Sequence, residues 1–321
     1  MPDEGEANEV QTQKTIVEHT VPEFILKQFR GSNPKLYVYD KLDDRIRYEP
    51  ISRLAQKPGF YDAPADLFTP EFADQVDLQV VEHALGRLEG RFARAVADLL
   101  KDVPTNGLPD DQRFRLAHLM VIQLLRTFEF REWMVETNQK VAQVIAENLA
   151  EKAFPGSNGR FKYRVEFDER MWPLYQGLYM LDRSKVGPLI GDLCRLIWRV
   201  GINPTGRPLY ISDNPVVRQA HNHNPYVGGR SLNSRGLEIA FPLSPTVMLI
   251  LHERTAFAEL SADEGRAVIL TTDQISYYNG LQVEQSYRQV FCSENDFDLA
   301  QQLCKQSPAI CSPERERFSL R

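Results

Sequence analysis

The chain of 321 residues is 42% hydrophobic and carries a net charge of -6 at pH 7, and its length is enough to bury a sizeable core. The negative charge argues against a broad electrostatic surface for nucleic acid, although a basic channel inside an acidic protein would not show in that sum. The four cysteines form no Cys-x-x-Cys pair and no zinc-ligand spacing, which indicates reduced, structural thiols.

The first 15 residues are polar and acidic, without an apolar run or a basic leader. They predict a disordered tail rather than an export signal. The longest apolar run, near Leu116–Leu125, is too short and too interrupted to span a bilayer. We therefore expect a cytoplasmic protein with no membrane partner; its protein partners stay open.

The first ordered unit is expected to begin at His19, within a domain that starts at about residue 16. From His19 the sequence reads HTVPEFILKQFRG, which predicts a short helix because Pro22 suits a first turn and Gly31 can end it. Residues 36–40 and 45–49 then flank a tight polar connection. This pattern is typical of a β-hairpin.

A long helix is predicted from about Asp74 to Lys101, where apolar side chains recur at helical spacing. Glu82 and Glu89 are seven residues apart, which is two helical turns. Both carboxylates should therefore point the same way at the edge of the apolar stripe. The loop at 104–109 returns the chain, most simply into an antiparallel pair with the next helix.

The next helix is predicted as one long segment from Asp110 to about Phe154. Its middle reads FRLAHLMVIQLLRTFEF and is apolar on nearly every side, which predicts a buried helix. Gln123 and Arg126 are three residues apart on neighbouring positions of one face, and water cannot readily satisfy both in a core. Antiparallel pairing would bring the two glutamates of the preceding helix near them.

After residue 155 the character of the chain changes. Pro155–Gly159 predicts a breaker loop, and Asn203–Gly206 predicts the turn of a second hairpin between strands at 198–202 and 208–212. Helices are predicted at 185–197 and 278–290, and a disordered tail at 306–321. The remaining predicted strands lie at 162–167, 237–241, 246–252 and 267–271.

The sequence thus predicts an α+β protein folded as a single domain over residues 16–305. Its centre would be a pair of long antiparallel helices within residues 74–154. An N-terminal β-hairpin would precede them. A mixed, mainly antiparallel sheet would come from the strand-rich part at about 160–275.

Short motifs occur in a fixed order from His19 to about Cys292. They are His19-Thr20-Val21-Pro22, Tyr37-Val38-Tyr39-Asp40, Phe60-Tyr61, Glu82 with Glu89, Gln123-Leu124-Leu125-Arg126 with Arg131, Ile211–Val216, Phe241–Pro245, and Asn279 with Gln282. In this order they resemble domain-of-unknown-function family 4238, found in bacteria and fungi. The resemblance implies one integrated domain and no particular reaction.

His19 lies at the entrance of the first predicted helix. Its imidazole could ligate a metal or act as a general acid or base, because imidazole is suited to proton transfer near neutral pH. A helix N-terminus also supports anion binding. The alternative is a structural histidine that hydrogen-bonds the backbone where the helix starts.

The two glutamates and the two polar residues of the central helix form a second candidate set. The carboxylates could hold a divalent metal, with Gln123 orienting a substrate and Arg126 gripping a phosphate through its planar fork. In the structural alternative, Arg126 pairs with one glutamate and Gln123 ties helices together through backbone carbonyls.

Asp213 follows a predicted strand and precedes Asn214, so its carboxylate is expected at a strand end, where catalytic groups are often found. The alternative is an Asx-type turn. The loop from His221 to Gly236 carries Arg230 and could close over a phosphate-bearing ligand. His221 and His223 lack a third ligand at metal-site spacing.

These residue types suit the stabilisation of charge on a transferring phosphoryl group, and we predict a metal-dependent phosphodiester or nucleotide hydrolase, with a nuclease as one form. The predicted catalytic residues are His19, Glu82, Glu89 and Asp213. The predicted ligands of Mg²⁺ or Mn²⁺ are Glu82, Glu89 and Asp213. The predicted contacts to a nucleotide or nucleic acid are Gln123, Arg126, Asn214 and Arg230.

Two competing functions stay open. The same polar cluster could bind a nucleotide or another anionic ligand without chemistry. A third hypothesis is ADP-ribosyl-type group transfer, for which the sequence carries no specific motif. A P-loop, a Gly-x-Ser-x-Gly elbow and a Gly-x-Gly-x-x-Gly fingerprint are missing from the sequence, which argues against ATPase, α/β-hydrolase and Rossmann classes.

Overall fold

A computed structural model gives the architecture. The structure describes residues 17–31, 33–62, 69, 79–104, 107–155, 164–221, 231–312, 314, 315 and 317. The predicted tail at 1–15 lies outside these residues.

The N-terminal part supplies a short two-stranded sheet and a hairpin. Strand β1 (Val17–His19) pairs antiparallel with β4 (Gln56–Pro58), which places His19 opposite Gln56. Helix α1 (Glu23–Phe29) follows directly and buries Ile25, Leu26 and Phe29. The predicted hairpin is confirmed as β2 (Lys35–Asp40) and β3 (Arg45–Pro50), joined in antiparallel register.

Helix α2 (Val80–Lys101) lies against α3 (Asp110–Leu125), and α4 (Phe128–Ala153) continues the chain. The predicted start of α2 at 74–78 falls outside the described residues. The single long helix predicted from Asp110 is wrong, because it breaks at Arg126 and Thr127. The Thr127 hydroxyl accepts a hydrogen bond from the Phe130 amide at 3.1 Å and so caps a new helix.

Two shorter helices, α5 (Trp172–Leu181) and α6 (Arg183–Cys194), precede the main sheet. Residues 164–168 form no regular element, so the strand predicted there is wrong for its described part. Their side chains are mostly exposed on both sides, and Val165 N donates to the Gln143 side chain at 3.1 Å rather than to another strand. An alternating pattern without a buried face does not hold a strand.

The main sheet has the order β10-β5-β9-β8-β7 within the described residues. Only the β10–β5 pair in this sheet is parallel, so the mixed, mainly antiparallel sheet is confirmed. Its strands are β5 (Ile197–Ile202), β7 (Val217–Ala220), β8 (Leu237–Pro242), β9 (Val247–His252) and β10 (Ala267–Ile269).

The predicted second hairpin is wrong. Strand β5 pairs with β9 and β10. Strand β6 (Ile211–Ser212) belongs to another sheet, where it pairs with β11 (Gln289–Cys292), and the order of that sheet is β3-β2-β11-β6. The Asn203 side chain closes the predicted turn by accepting from Thr205 N at 3.0 Å, and it donates to the Pro245 carbonyl at 3.0 Å. The turn therefore redirects the chain between two sheets.

Helix α7 (Thr272–Gln285) starts at a capping box made by Thr271 and Gln274. The helix predicted over 278–290 thus begins and ends earlier, and its last residues enter strand β11 (Gln289–Cys292). Helix α8 (Asp298–Gln306) follows. In the predicted tail, Pro308–Cys311 form a short 3-10 helix, and Arg315 pairs with Glu129 at 2.6 Å.

One hydrophobic cluster contains side chains of the helical part and of the strand-rich part, among them Ile25, Leu99, Met120 and Phe241. The α+β class is therefore confirmed, with the helices packed against the sheets through a shared core. Within the described ranges, no helix combines the length and apolar character needed to cross a membrane.

Candidate functional site

A pocket of about 390 Å³ opens where β1, α1, α2 and the end of α3 meet. Its volume is in the range of small-molecule sites. Four of the predicted site residues line it, from three separate segments of the chain. The lining residues are His19, Glu23, Phe24, Lys27, Glu82, Glu89, Gly90, Ala93 and Arg126.

His19 enters the pocket from the end of β1. Its Nε2 lies 3.6 Å from Oε1 of Glu23, the first residue of α1. Burial lowers the pKa of His19, and the carboxylate of Glu23 partly opposes that shift. The imidazole is therefore mainly neutral at pH 7, the form that can accept a proton.

Glu82 and Glu89 enter from α2 and share the face that their spacing predicts. Burial raises the pKa of Glu82, and the charge of Arg126 opposes this. Glu82 Oε2 is covered from solvent and has no hydrogen-bond partner in the described part of the chain. Glu89 has a third of its side chain exposed and pairs with Arg126.

Arg126 follows the last residue of α3, and its side chain is 2% exposed. Its Nη1 donates to Glu89 Oε1 at 2.9 Å, and its Nη2 donates to the carbonyl of His19. Its Nε is buried without a partner among the residues described. The guanidinium thus fixes the end of β1 against α2, because one planar group reaches both elements.

The charges of the pocket form matched pairs. Lys27 Nζ lies 2.7 Å from Glu23 Oε2, just as Arg126 lies beside Glu89. If Glu82 holds a proton, these two pairs leave the lining close to neutral. His19 and Glu82 are then the lining groups whose protonation a ligand can change most readily.

A buried carboxyl stands behind the pocket. Glu18 is fully buried in β1, and its Oε2 accepts a hydrogen bond from Tyr61 N at 2.6 Å. The pKa of Glu18 is raised to about 7. Burial is the main cause, the charges of Asp62 and Glu82 add to the rise, and the hydrogen bond from Tyr61 opposes it. The Tyr61 hydroxyl donates to the Arg126 carbonyl at 2.7 Å. Glu18 is therefore coupled electrostatically to the pocket through Glu82.

Sequence reasoning missed Glu18, Glu23 and Lys27 as members of this region. A signal was present for two of them, because Glu23 and Lys27 are four residues apart in the first predicted helix. That interval puts side chains on one helix face. Glu18 carries no comparable pattern, since its burial depends on Tyr61, 43 residues away.

Gln123 is buried but is not among the residues that line the pocket. Its Nε2 donates to the Thr20 carbonyl at 2.9 Å. Arg126 holds the neighbouring carbonyl of His19. Together they tie the end of α3 to the connection between β1 and α1, as the structural alternative expected of Gln123.

Asp213 lies elsewhere in the fold, at the end of β6. Its carboxylate accepts hydrogen bonds from the backbone amides of Tyr287, Arg288 and Gln289 at 2.7 to 2.8 Å. Burial raises its pKa to about 6 against these bonds. The strand-end position was correct, but the carboxylate is engaged in holding the approach to β11 rather than lining the pocket.

The predicted metal set of Glu82, Glu89 and Asp213 is therefore not assembled, because Asp213 is held by backbone amides of a different segment. Among described residues, no group of three or more His, Cys, Asp or Glu side chains is placed to hold a metal ion. The pocket retains two of the predicted ligands, Glu82 and Glu89.

The predicted contact Asn214 is not among the residues that line the pocket. Asn214 Nδ2 donates to the Gln285 carbonyl at 2.8 Å, and Arg230 and His223 lie outside the described residues. His221 Nε2 lies 2.6 Å from Glu238 Oε2. The hydroxyls of Tyr277 and Tyr278 also donate to Glu238, at 3.0 and 2.7 Å, which makes this buried carboxylate the centre of a second polar network.

The fold and the site define an α+β protein with a small, charge-paired pocket between helices and a short strand. The model of the family described as "Protein of unknown function (DUF4238)" matches residues 18–296. The chain belongs to this family, and the resemblance seen in its motifs is confirmed. No curated protein and no solved structure matches the chain.

Proposed function

We propose that the protein hydrolyses a small phosphate ester, such as a nucleotide, in this pocket. The observation that carries the proposal is the convergence of His19, Glu82 and Arg126 from β1, α2 and the end of α3 on one pocket. The volume of about 390 Å³ favours a nucleotide-sized substrate over a long duplex.

His19 and Glu82 would divide the proton transfers. Neutral His19 takes a proton from water as the water oxygen attacks phosphorus. Protonated Glu82 gives its proton to the oxygen that leaves as the phosphorus–oxygen bond breaks. The opposite shifts in pKa, lowered for His19 and raised for Glu82, support both states within one mildly acidic pH range. Proton exchange with solvent then returns His19 to its neutral form and Glu82 to its protonated form.

Arg126 and Lys27 would supply positive charge to the phosphate. Both are already paired, with Glu89 and Glu23 respectively, so a phosphate competes with these carboxylates. Glu89 is a third exposed and can turn toward water when a more highly charged anion arrives. Arginine suits this exchange, because its fork can hold two oxygens at once.

Metal assistance fits the same pocket as part of the proposal. Mg²⁺ often binds one or two carboxylates together with substrate phosphates and water, without a complete protein cage. In this metal-assisted form of the proposal, Glu82 and Glu89 would provide the partial set. Glu82 would then be ionised, so it would hold the metal ion and would not serve as the proton donor. Mn²⁺ prefers similar oxygen ligands.

The test is product formation from a panel of nucleotides, dinucleotides and short single strands, with Mg²⁺, with Mn²⁺ and with a chelator. Released phosphate is measured for the nucleotides, and cleaved fragments are measured for the dinucleotides and single strands. We expect turnover by the wild type and a loss of about 10²-fold or more in His19→Asn and Glu82→Gln. His118→Asn and Glu147→Gln serve as controls, because neither residue lines the pocket. Equal rates in wild type and both pocket variants would exclude the proposal.

A second candidate is a binding protein without chemistry. It is favoured by the pairing of Arg126 with Glu89 and the His19 carbonyl, which gives the guanidinium a structural task. This function predicts saturable nucleotide binding and a thermal shift with no product. Substitution of Lys27 would then weaken binding, whereas Glu82→Gln would leave it nearly unchanged. ADP-ribosyl transfer stays a prediction without a supporting contact.

A further inference from the structure

The long helix α4 presents an unusual surface. Met134 is its one buried residue among the 26 from Phe128 to Ala153. Further along, Val141, Ile145 and Leu149 are 39, 53 and 60% exposed. Apolar side chains of this size normally face a core when they recur on a helix.

These three residues follow one another at intervals of four, so they form one stripe along the helix. Val144, 43% exposed, lies beside the stripe. We call these four residues the α4 stripe. A contiguous exposed apolar stripe marks an interaction site more often than scattered exposed side chains do.

The neighbouring side of α4 is already in use within the chain. Gln143 accepts from Val165 N at 3.1 Å, so the segment after the breaker loop runs along that side. Ala142 and Ala146, on the same side, are only partly exposed. Among the described residues, the α4 stripe is therefore an apolar surface of this helix that remains exposed.

The charges beside the α4 stripe identify its partner. Lys140 precedes the stripe and Glu151 follows it, and at 100° per residue both lie on the same flank. Two copies of α4 can be set antiparallel about a point between Ile145 and Ala146. Lys140 of each copy then lies opposite Glu151 of the other, and Val141 lies close to Leu149.

We propose that the α4 stripe binds the α4 stripe of a second copy of this chain, as an antiparallel, two-fold symmetric helix pair. The contact is self-complementary, as a two-fold interface requires, because apolar residues meet apolar residues and each lysine meets a glutamate. An unrelated partner would not require opposite charges at the two ends of one stripe. The proposal does not depend on the function of the pocket.

The first experiment measures mass in solution by sedimentation equilibrium over a wide concentration range. The wild type should form dimers, and Ile145→Asp should raise the dissociation constant about tenfold or more, as for a central apolar contact. Ile269→Asp is the matched control, since Ile269 is 69% exposed on β10 and is not part of the α4 stripe. The proposal is overturned if the wild type stays monomeric, or if Ile145→Asp leaves the dissociation constant of the dimer unchanged.

The second experiment tests the antiparallel register by charge reversal. Lys140→Glu and Glu151→Lys should each weaken self-association, and an equimolar mixture of the two variants should associate as tightly as the wild type. Lys140 also pairs with Glu136 of its own helix at 2.8 Å. Loss of that intrahelical pair weakens one variant but cannot produce recovery on mixing. If the mixture associates no more tightly than each variant alone, the proposed antiparallel register is wrong.

Discussion

The guanidinium of Arg126 lies 2.9 Å from the carboxylate of Glu89, and the two residues are 37 positions apart in the chain. The same guanidinium holds the backbone carbonyl of His19. One buried cation therefore joins α2, the end of α3 and the end of β1. This relationship brings His19 to the pocket that Glu82 also lines.

Arg126→Met should lower the free energy of unfolding by about 3 kcal/mol, because it removes a buried charge partner and leaves the His19 carbonyl without its donor. Chemical denaturation measures the change. Arg115→Met is the control, since Arg115 forms an exposed pair with Asp111 on the same helix. That change should cost less than about 1 kcal/mol. Equal losses in the two variants would contradict the proposed role of Arg126.

Glu18→Gln should make stability less dependent on pH. Burial raises the pKa of Glu18 to about 7, so the folded state binds more protons than the unfolded state between the ordinary carboxyl range and that value. Stability contributed by this group is present at low pH and falls as pH rises through the window. Glutamine can still accept from Tyr61 N but cannot ionise.

The measurement for Glu18 is the free energy of unfolding of wild type and variant at several pH values from about 5 to about 8. We expect the free energy of unfolding of the variant, relative to that of the wild type, to rise by about 1–3 kcal/mol from the acidic to the alkaline end of this range. Glu166→Gln is a matched control, because Glu166 is largely exposed. A difference between Glu18→Gln and wild type that does not change with pH would contradict this account.

Glu238 should contribute stability with the opposite dependence on pH. Burial raises its pKa, but hydrogen bonds from His252, Tyr278 and His221 lower it to about 2 overall. Its contribution is therefore present above the ordinary carboxyl range and is lost as pH falls toward 2.

Glu238→Gln should cost about 1–3 kcal/mol at neutral pH, since it leaves hydroxyl and imidazole partners poorly matched. The difference from wild type should shrink when unfolding is measured at progressively more acidic pH. If the difference in free energy of unfolding between wild type and variant stays constant down to the lowest pH at which the protein is folded, the ionised carboxylate is not what stabilises the network.

The proposed hydrolysis should show a bell-shaped dependence of rate on pH with a mildly acidic optimum. The acidic limb reports the lowered pKa of His19, which must be neutral to accept a proton. The alkaline limb reports the raised pKa of Glu82, which must be protonated to donate one. The measurement is kcat/KM across pH for wild type and for Glu82→Gln. The Glu82→Gln variant should keep the acidic limb, which belongs to His19, and lose the alkaline limb. Retention of both limbs would assign the second titration to a different group.

The elements that a single periodicity governs could be predicted from sequence. The β2–β3 hairpin, the apolar stripe of α2 and the shared face of Glu82 and Glu89 follow from patterns within a few residues. The break at Thr127 could not be read in this way, because one threonine inside an apolar run looks like helix until its hydroxyl caps the next turn. Residues 289–292 become a strand only because β2 and β6 pair with them.

The candidate site was predictable to the same extent. The approach of Glu89 to Arg126 follows from the pairing of α2 with α3, but the arrival of His19 depends on β1 pairing with β4, some 40 residues later. Asp213 was placed correctly at a strand end. Its engagement depends on amides at 287–289, which no local pattern connects to it.

The most direct test of the central claim is a double-mutant cycle on kcat/KM with His19→Asn, Glu82→Gln and their combination, using the best phosphate ester from the panel. Because the two groups would act in the same step from one pocket, the double variant should be no slower than the slower single variant. If the loss of kcat/KM in the double variant equals the product of the two single losses, His19 and Glu82 do not act together in one step. Single variants as fast as the wild type would contradict the site itself.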